Sequence, residues 1–376
     1  MFRDDFKNFL IIQKMEDDKK QKTFLSVLLN NKWKFIFGIF IILIIIFIYY
    51  IFFTKINLAS RANTDTLFQI NNGESVNNIG KRLDNEGVIK SALAFKIYIK
   101  IFSGNTIAQA GIYMLDKNDN LYSLANKIIK AHYAIPPVKV TIPEGSDNKE
   151  VAEIISKSFL NKVNETQLVD DFSEQNIENK IEDKEGYLFP ETYLFLPNTT
   201  LDKVIKQLSD KFYNNLKDIF TNERQELGIY SLDVSDFKVE DYFNDEDKTI
   251  KLTKRLTIIS SLGTTTVTIK DIITMASFLE GEANNEEDMR KVSGVLWTRL
   301  KLNYPLQIDA ATSTYKKQGF TDAPINNPGM VAIKAAIDPI NTGNIYYITG
   351  NDGIMHYAKD YLTHLDNINK YLRDNK

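Results

Sequence analysis

The sequence predicts an α+β protein: a single N-terminal transmembrane helix, a small α/β module, and a larger mixed α+β body. Three observations carry that expectation. A run of 19 residues without a charge covers Phe35 to Phe53. Two strand–turn–helix patterns follow, one near Leu67 and one near Val138. Apolar stripes at helical spacing then recur between Ile272 and Ile337.

The 376 residues, 43% hydrophobic and 11% aromatic, are enough for an anchor and two packed cores. With 46 basic against 49 acidic residues the net charge is −3, which gives nucleic acid no electrostatic footing as a partner. Without cysteine there is no disulfide, thiol nucleophile or Cys-based metal site. The three histidines, His132, His356 and His364, show no H-E-x-x-H spacing, so no metal site is expected.

At helical rise the Phe35–Phe53 run covers about 28 Å, close to the ~30 Å hydrocarbon core of a bilayer. A buried core helix would rarely lack a polar face over that length. A cleaved leader is the other competitor, but 34 residues precede the run and no small-x-small site follows it. Lys19, Lys20, Lys22, Lys32 and Lys34 lie just before the run, against Lys55 and Arg61 just after. That bias predicts a single-pass protein of the inner (cell) membrane, with a cytoplasmic tail over 1–34 and the body beyond residue 53 extracytoplasmic. Trp33, Tyr49 and Tyr50 suit interfacial positions.

A polar linker is expected over 54–64 and the small module over 65–137. Phe68 and Ile70 alternate as in a strand before an Asn71-Asn72-Gly73 turn. Val76, Ile79 and Leu83 follow helical spacing, and Gly87 stops that helix. Ser91 caps a second helix bearing Leu93, Phe95, Ile97 and Ile99, and Leu121–Ile129 forms a third. The body, 138–376, opens with VKVTIPEGSDNKEVAEIISKSF, again strand, turn and amphipathic helix. Residues 160–250, rich in Asn, Asp, Glu and Lys, read as solvated helix faces and loops. Thr268, or Thr266, is the candidate N-cap of IKDIITMASFLEGEA.

Three stretches interrupt these patterns with chemistry-bearing residues. EGYLFPETYLF sets Tyr187 and Tyr193 beside Glu185 and Glu191, rings and carboxylates that suit sugar faces and hydroxyls; an aromatic strand and turn in a core is the competing reading. The helix ending Glu280-Gly281-Glu282 places two carboxylates about 200° apart, so a regular helix cannot aim both into one cleft. An acidic, solvated helix end is the simpler alternative there. PLQIDAATSTY and APINNPG then offer Gln307, Asp309, Asn326 and Asn327 around Pro328 and Gly329.

Taken in order, TIPEGSDNKEVAEII, EGYLFPETY, MASFLEGEA with VSGVLWTRL, PLQID, APINNPG with AIKAAIDP, and NIYYITGNDGIMHYAKDYLTH resemble the endolytic lytic transglycosylases of the MltG (YceG-like) group. The resemblance covers most of residues 68–374. It implies a LysM-like module over 65–137 and a YceG-like catalytic domain over 138–376. It places the essential glutamate in the E-x-E segment, mapped here to the second carboxylate, Glu282, with Glu280 as the alternative. Glu280, Gln307, Asp309, Asn327, Tyr187, Glu191 and Tyr193 become candidate substrate-binding residues. Two departures stand out. Asp309 reaches Ser313-Thr314-Tyr315 almost at once, where the family commonly has a further stretch, and Gly281 stands where it often has Lys or Arg.

The activity so implied is endolytic cleavage of peptidoglycan strands between MurNAc and GlcNAc, giving 1,6-anhydroMurNAc ends. One glutamate acts as acid and then as base, with no cofactor. Glycan strands and the membrane are the expected partners, with cell-wall synthases as candidate protein partners. Two other classes stay open. A lysozyme-like hydrolase needs a second carboxylate, for which Glu185, Glu191 or Asp309 could serve. A membrane-tethered protein that binds glycan without cutting it is the third.

Overall fold

The computed structural model describes residues 66–102, 108–116, 119–160, 172–230 and 237–373, with helical residues scattered between Met15 and Tyr50. The expected linker and, within the expected span, Phe35, Ile48 and residues 51–53 lie outside the described residues. Ile36–Phe47 is helical and largely exposed, and no helix among the described residues is long and apolar enough to cross a membrane. The chain divides into two compact units, Met1–Pro136 and Pro137–Lys376.

The first unit begins with β1 (Thr66–Ile70), whose alternation buries Phe68 and Ile70 and exposes Leu67. Ser75 caps α1 (Val76–Asn85) by accepting the Asn78 N–H at 3.2 Å. Gly87, at φ +71°, turns the chain out of it. Ser91 accepts the Ala94 N–H at the start of α2 (Ala92–Phe102). β2 (Gly111–Leu115) runs antiparallel to β1, pairing Tyr113 with Phe68. An Asn120/Ser123 capping box opens α3 (Leu121–Ile129). Phe68, Ile70, Ile79, Leu83, Phe95, Tyr113 and Leu124 form the core beneath this two-stranded sheet. The Phe68 and Ile70 pattern announced β1, but nothing local announced its partner β2, some forty residues on.

The second unit holds two clusters of buried side chains. In the first, β3 (Val138–Thr141) leads to α4 (Asn148–Leu160) and α5 (Glu174–Ile181). β4 (Thr192–Phe195) then returns antiparallel to β3 with Tyr193 opposite Val140. α6 (Leu201–Asp218) shows the solvated helix face expected within 160–250 and adds a buried one. Its charges occupy one side only, and Leu201, Val204, Leu208, Phe212 and Leu216 are buried on the other.

The larger cluster is organised by a three-stranded antiparallel sheet, order β5–β8–β9. It is built from β5 (Ile229–Tyr230), β8 (Arg255–Ser260) and β9 (Gly263–Thr268), with a small hairpin of β6 (Phe243–Asn244) and β7 (Thr249–Ile250) between β5 and β8 in the chain. β9 runs directly into α7 (Ile269–Glu282), which is followed by α8 (Glu286–Lys301) and α9 (Met330–Ile337). A β10–β11 hairpin (Tyr346–Thr349, Met355–Ala358) and α10 (Tyr361–Tyr371) complete the chain. Every residue from Ile272 to Leu279 is buried, so α7 is a central helix whose ionised groups can stand only at its ends.

Candidate active site

α7 is positioned from its start. Thr268 and Asp271 form a reciprocal capping box, Thr268 Oγ1 accepting the Asp271 N–H at 3.1 Å and Asp271 Oδ2 the Thr268 N–H at 2.8 Å. The helix ends at Glu282, where Ala283 leaves in an extended conformation. Both glutamates of the last turn therefore sit at the negative end of a helix dipole, which disfavours a carboxylate.

Their side chains reach different places. Glu280 Oε2 accepts the Gly329 N–H at 2.9 Å, at the head of α9. Burial and the nearby Glu144 carboxylate push its pKa up, against that hydrogen bond. Glu282 Oε1 accepts the Asp309 N–H at 3.2 Å and Oε2 accepts the Tyr347 hydroxyl at 3.0 Å. Burial raises the Glu282 pKa; the Tyr347 and Asp309 hydrogen bonds and the Arg299 charge oppose it.

Glu282 lines a cavity of about 420 Å³ together with Arg299, Gln307, Asp309, Tyr315 and Tyr347. Gln307 holds φ +55°, a left-handed conformation that costs a non-glycine residue roughly 1–3 kcal/mol and is retained where surroundings dictate it. Its N–H donates to Thr314 O at 3.2 Å, and the preceding Leu306 carbonyl accepts from Arg299 Nη1 at 2.5 Å. The Tyr315 hydroxyl donates to Asp309 Oδ1. The short stretch between Asp309 and Tyr315 thus folds back on itself, and Tyr315 closes one wall of the cavity.

The structure brings Glu282, Gln307 and Asp309 together and sets the other sequence candidates elsewhere. Asn327 is buried; its Oδ1 accepts the Leu188 N–H at 2.8 Å and its Nδ2 donates to Ser146 O at 3.0 Å. It joins the TIPEGS, EGYLFPE and NNPG segments. Tyr193 is buried with its hydroxyl on Phe189 O at 2.7 Å, and Glu191 pairs with Lys211 at 2.9 Å on the surface. Tyr187 packs edge-to-face on Phe212, its pKa pushed up to about 12 by burial. Glu185 accepts the Asn148 N–H at 3.0 Å, and burial carries its pKa to about 7. Among the described residues no cluster of three or more His, Asp or Glu is arranged to hold a metal ion.

Sequence reasoning missed Arg299, Tyr347 and His364, a further lining residue. One signal was available. Arg299 continues the buried Val292–Val295–Leu296 stripe at a position where an apolar residue would be ordinary.

The sequence model of the YceG-like family matches residues 68–313 and 313–370, the two segments meeting at Ser313 within the short Asp309–Tyr315 stretch. The chain belongs to the YceG-like family. This YceG-like chain is 27% identical to the endolytic murein transglycosylase of Bacillus subtilis over 353 residues, covering 82% of this chain and 85% of that protein. It is 23% identical to the endolytic murein transglycosylase of Streptococcus pneumoniae serotype 2 over 354 residues, 80% of this chain but 57% of that longer protein. A crystal structure of a yceG-like protein of Listeria monocytogenes superposes with a TM-score of 0.40 at 20% identity, over 80% of this chain and 98% of that one.

Proposed function

We propose that this YceG-like chain is an endolytic lytic transglycosylase. It would cut peptidoglycan strands between MurNAc and GlcNAc and leave 1,6-anhydroMurNAc ends, with Glu282 as the single acid and base. The observation that carries the reading is the placement of Glu282: a half-buried carboxyl at a helix C-terminus, its pKa raised by desolvation, lining a cavity of about 420 Å³. In the first half-step protonated Glu282 gives its proton to the glycosidic oxygen as the C1–O bond breaks. In the second its carboxylate takes the proton of the muramoyl 6-hydroxyl as that oxygen bonds to C1. No water, metal or cofactor is consumed. The Tyr347 hydroxyl and the Asp309 N–H, already on the two carboxylate oxygens, steady the charge between the half-steps.

One observation favours a second reading. Asp309 presents its carboxylate to the same cavity, so a two-carboxylate hydrolase is the competitor; Glu185 and Glu191 lie outside that lining. Mass analysis of fragments released from purified strands by the full-length chain separates the cases. Anhydro ends from internal cuts support transglycosylation, reducing ends support hydrolysis, and binding without release leaves only a glycan-binding role.

We further read 65–137 as a LysM-like module that holds the strand, 35–53 as the single span, and the body as extracytoplasmic at the inner membrane beside the cell-wall synthases. The lysine bias before Phe35 supports that orientation. A reporter active only in the cytoplasm, fused after Lys376, should be silent; strong signal would overturn the orientation.

A further inference from the structure

Arg299 is 5% exposed, yet among the described residues no carboxylate lies within ion-pairing distance of its guanidinium. Arg290 of the same helix, by contrast, pairs with Asp338 at 2.6 Å. A buried charge without a counter-charge is costly and calls for a reason. Its hydrogen bonds run to two backbone carbonyls: Nε donates to Ile345 O at 2.7 Å and Nη1 to Leu306 O at 2.5 Å. Those carbonyls belong to the two stretches that touch Glu282. Leu306 stands just before Gln307 and Asp309, and Ile345 two residues before Tyr347. The guanidinium also lies over the Tyr346 ring at 5.5 Å and the Tyr347 ring at 5.9 Å. The His364 ring stacks on Tyr346 at 4.9 Å.

We propose that Arg299 is a positioning residue of this site: its guanidinium straps the Leu306–Asp309 wall to the Tyr347 strand, and its unpaired positive charge favours the carboxylate form of Glu282. The inference rests on the proposed reaction, where one glutamate must give up a proton and then persist as an anion. Once Glu282 has given its proton to the glycosidic oxygen it is a carboxylate in a desolvated site, and a nearby positive charge steadies it until it takes the 6-hydroxyl proton. The groups that face this charge are Glu282, Tyr315, Tyr346, Tyr347 and His364, and Asp309 lines the same cavity. Of these the Arg299 charge lowers the pKa of both Glu282 and His364, so two independent titrations report on it.

The test compares Arg299→Lys and Arg299→Met in the full-length protein. Glutamate carboxylates are followed by carbon-13 NMR, with Glu282→Gln to assign the signal, and His364 is followed with His132 and His356 as controls. Arg299→Met should move the Glu282 and His364 midpoints to higher pH; if both stay at their wild-type values, the charge role is overturned. Should Arg299→Met not fold, Arg299→Gln gives the uncharged arm, because its amide still reaches one carbonyl. Arg299→Lys keeps the charge but cannot span both carbonyls. Its midpoints should stay near wild type while kcat falls about 10²-fold, as a misplacement near 1 Å does. Full activity in Arg299→Lys would overturn the strap. If the wild-type chain releases no anhydro ends while Arg299→Met still shifts both midpoints, the proposed reaction and the strap that serves it fail, and only the charge coupling of Arg299 to Glu282 and His364 stands.

Discussion

Replacing each glutamate of the last turn of α7 with glutamine separates chemistry from architecture. Glu282→Gln keeps the side chain's size and leaves an oxygen for the Asp309 N–H or the Tyr347 hydroxyl, but it removes the exchangeable proton. General acid–base assistance is worth about 10²–10⁴ in rate. A residue used in both half-steps belongs at the upper end, which corresponds to about 5 kcal/mol of barrier. Folding should survive, because a carboxyl kept in a desolvated site at a helix C-terminus opposes stability. Glu280→Gln changes a charge-assisted hydrogen bond to Gly329 into a neutral one, a loss of about 1 kcal/mol. Relief of the burial that raises the Glu280 pKa partly offsets it. Its melting temperature should shift by no more than about 2–4 °C and its cleavage rate by a few-fold. The assay is release of anhydro-ended fragments by the full-length protein, with thermal melts alongside. Loss of cleavage in Glu280→Gln with retention in Glu282→Gln would reverse the two roles. If neither substitution slows release, acid–base work by this helix end is refuted.

Three further outcomes follow from groups outside the cavity. Glu185 binds its proton more tightly when folded, from an ordinary value of 4.5 up to about 7, so the native state holds the extra proton. Stability should therefore fall as pH rises between about 4.5 and 7; chemical denaturation across that range should show the slope, and Glu185→Gln should flatten it. Asn327→Ala leaves the buried Leu188 N–H without its acceptor and should cost about 1–3 kcal/mol in denaturant titrations; a neutral result would remove Asn327 from the junction. Gly294 sits where a Cβ would lie 2.0 Å from Ile340 O, backbone against backbone. Gly294→Ala should lower the melting temperature by at least the equivalent of about 1–3 kcal/mol, the usual cost of overpacking a close contact.

What could be read in the sequence was local. Thr268 as an N-cap, the buried stripe through Ile272, Ala276 and Leu279, and the end of the helix at Glu282 are all set by residues within a few turns of one another. The opposed directions of Glu280 and Glu282 follow from 3.6 residues per turn, and the structure sends one to Gly329 and the other to Tyr347 and Asp309. The rest depends on pairings distant in the chain, which carry no local signature. β2 joins β1 across some forty residues of intervening chain. Tyr347 reaches Glu282 only because the β10 strand is brought against α8, where Arg299 holds Ile345 O. The resemblance selected Gln307, Asp309, Asn327 and Tyr193 as one set, yet physical placement divides them. Gln307 and Asp309 spend their exposure on the cavity, whereas Asn327 and Tyr193 spend their polar atoms on buried backbone. A motif therefore marks both the groups that face a substrate and the groups that hold those in register. Only the hydrogen-bond partners tell the two apart, and Arg299, with every observed bond on a backbone carbonyl, falls with the groups that hold others in register although it lines the same cavity.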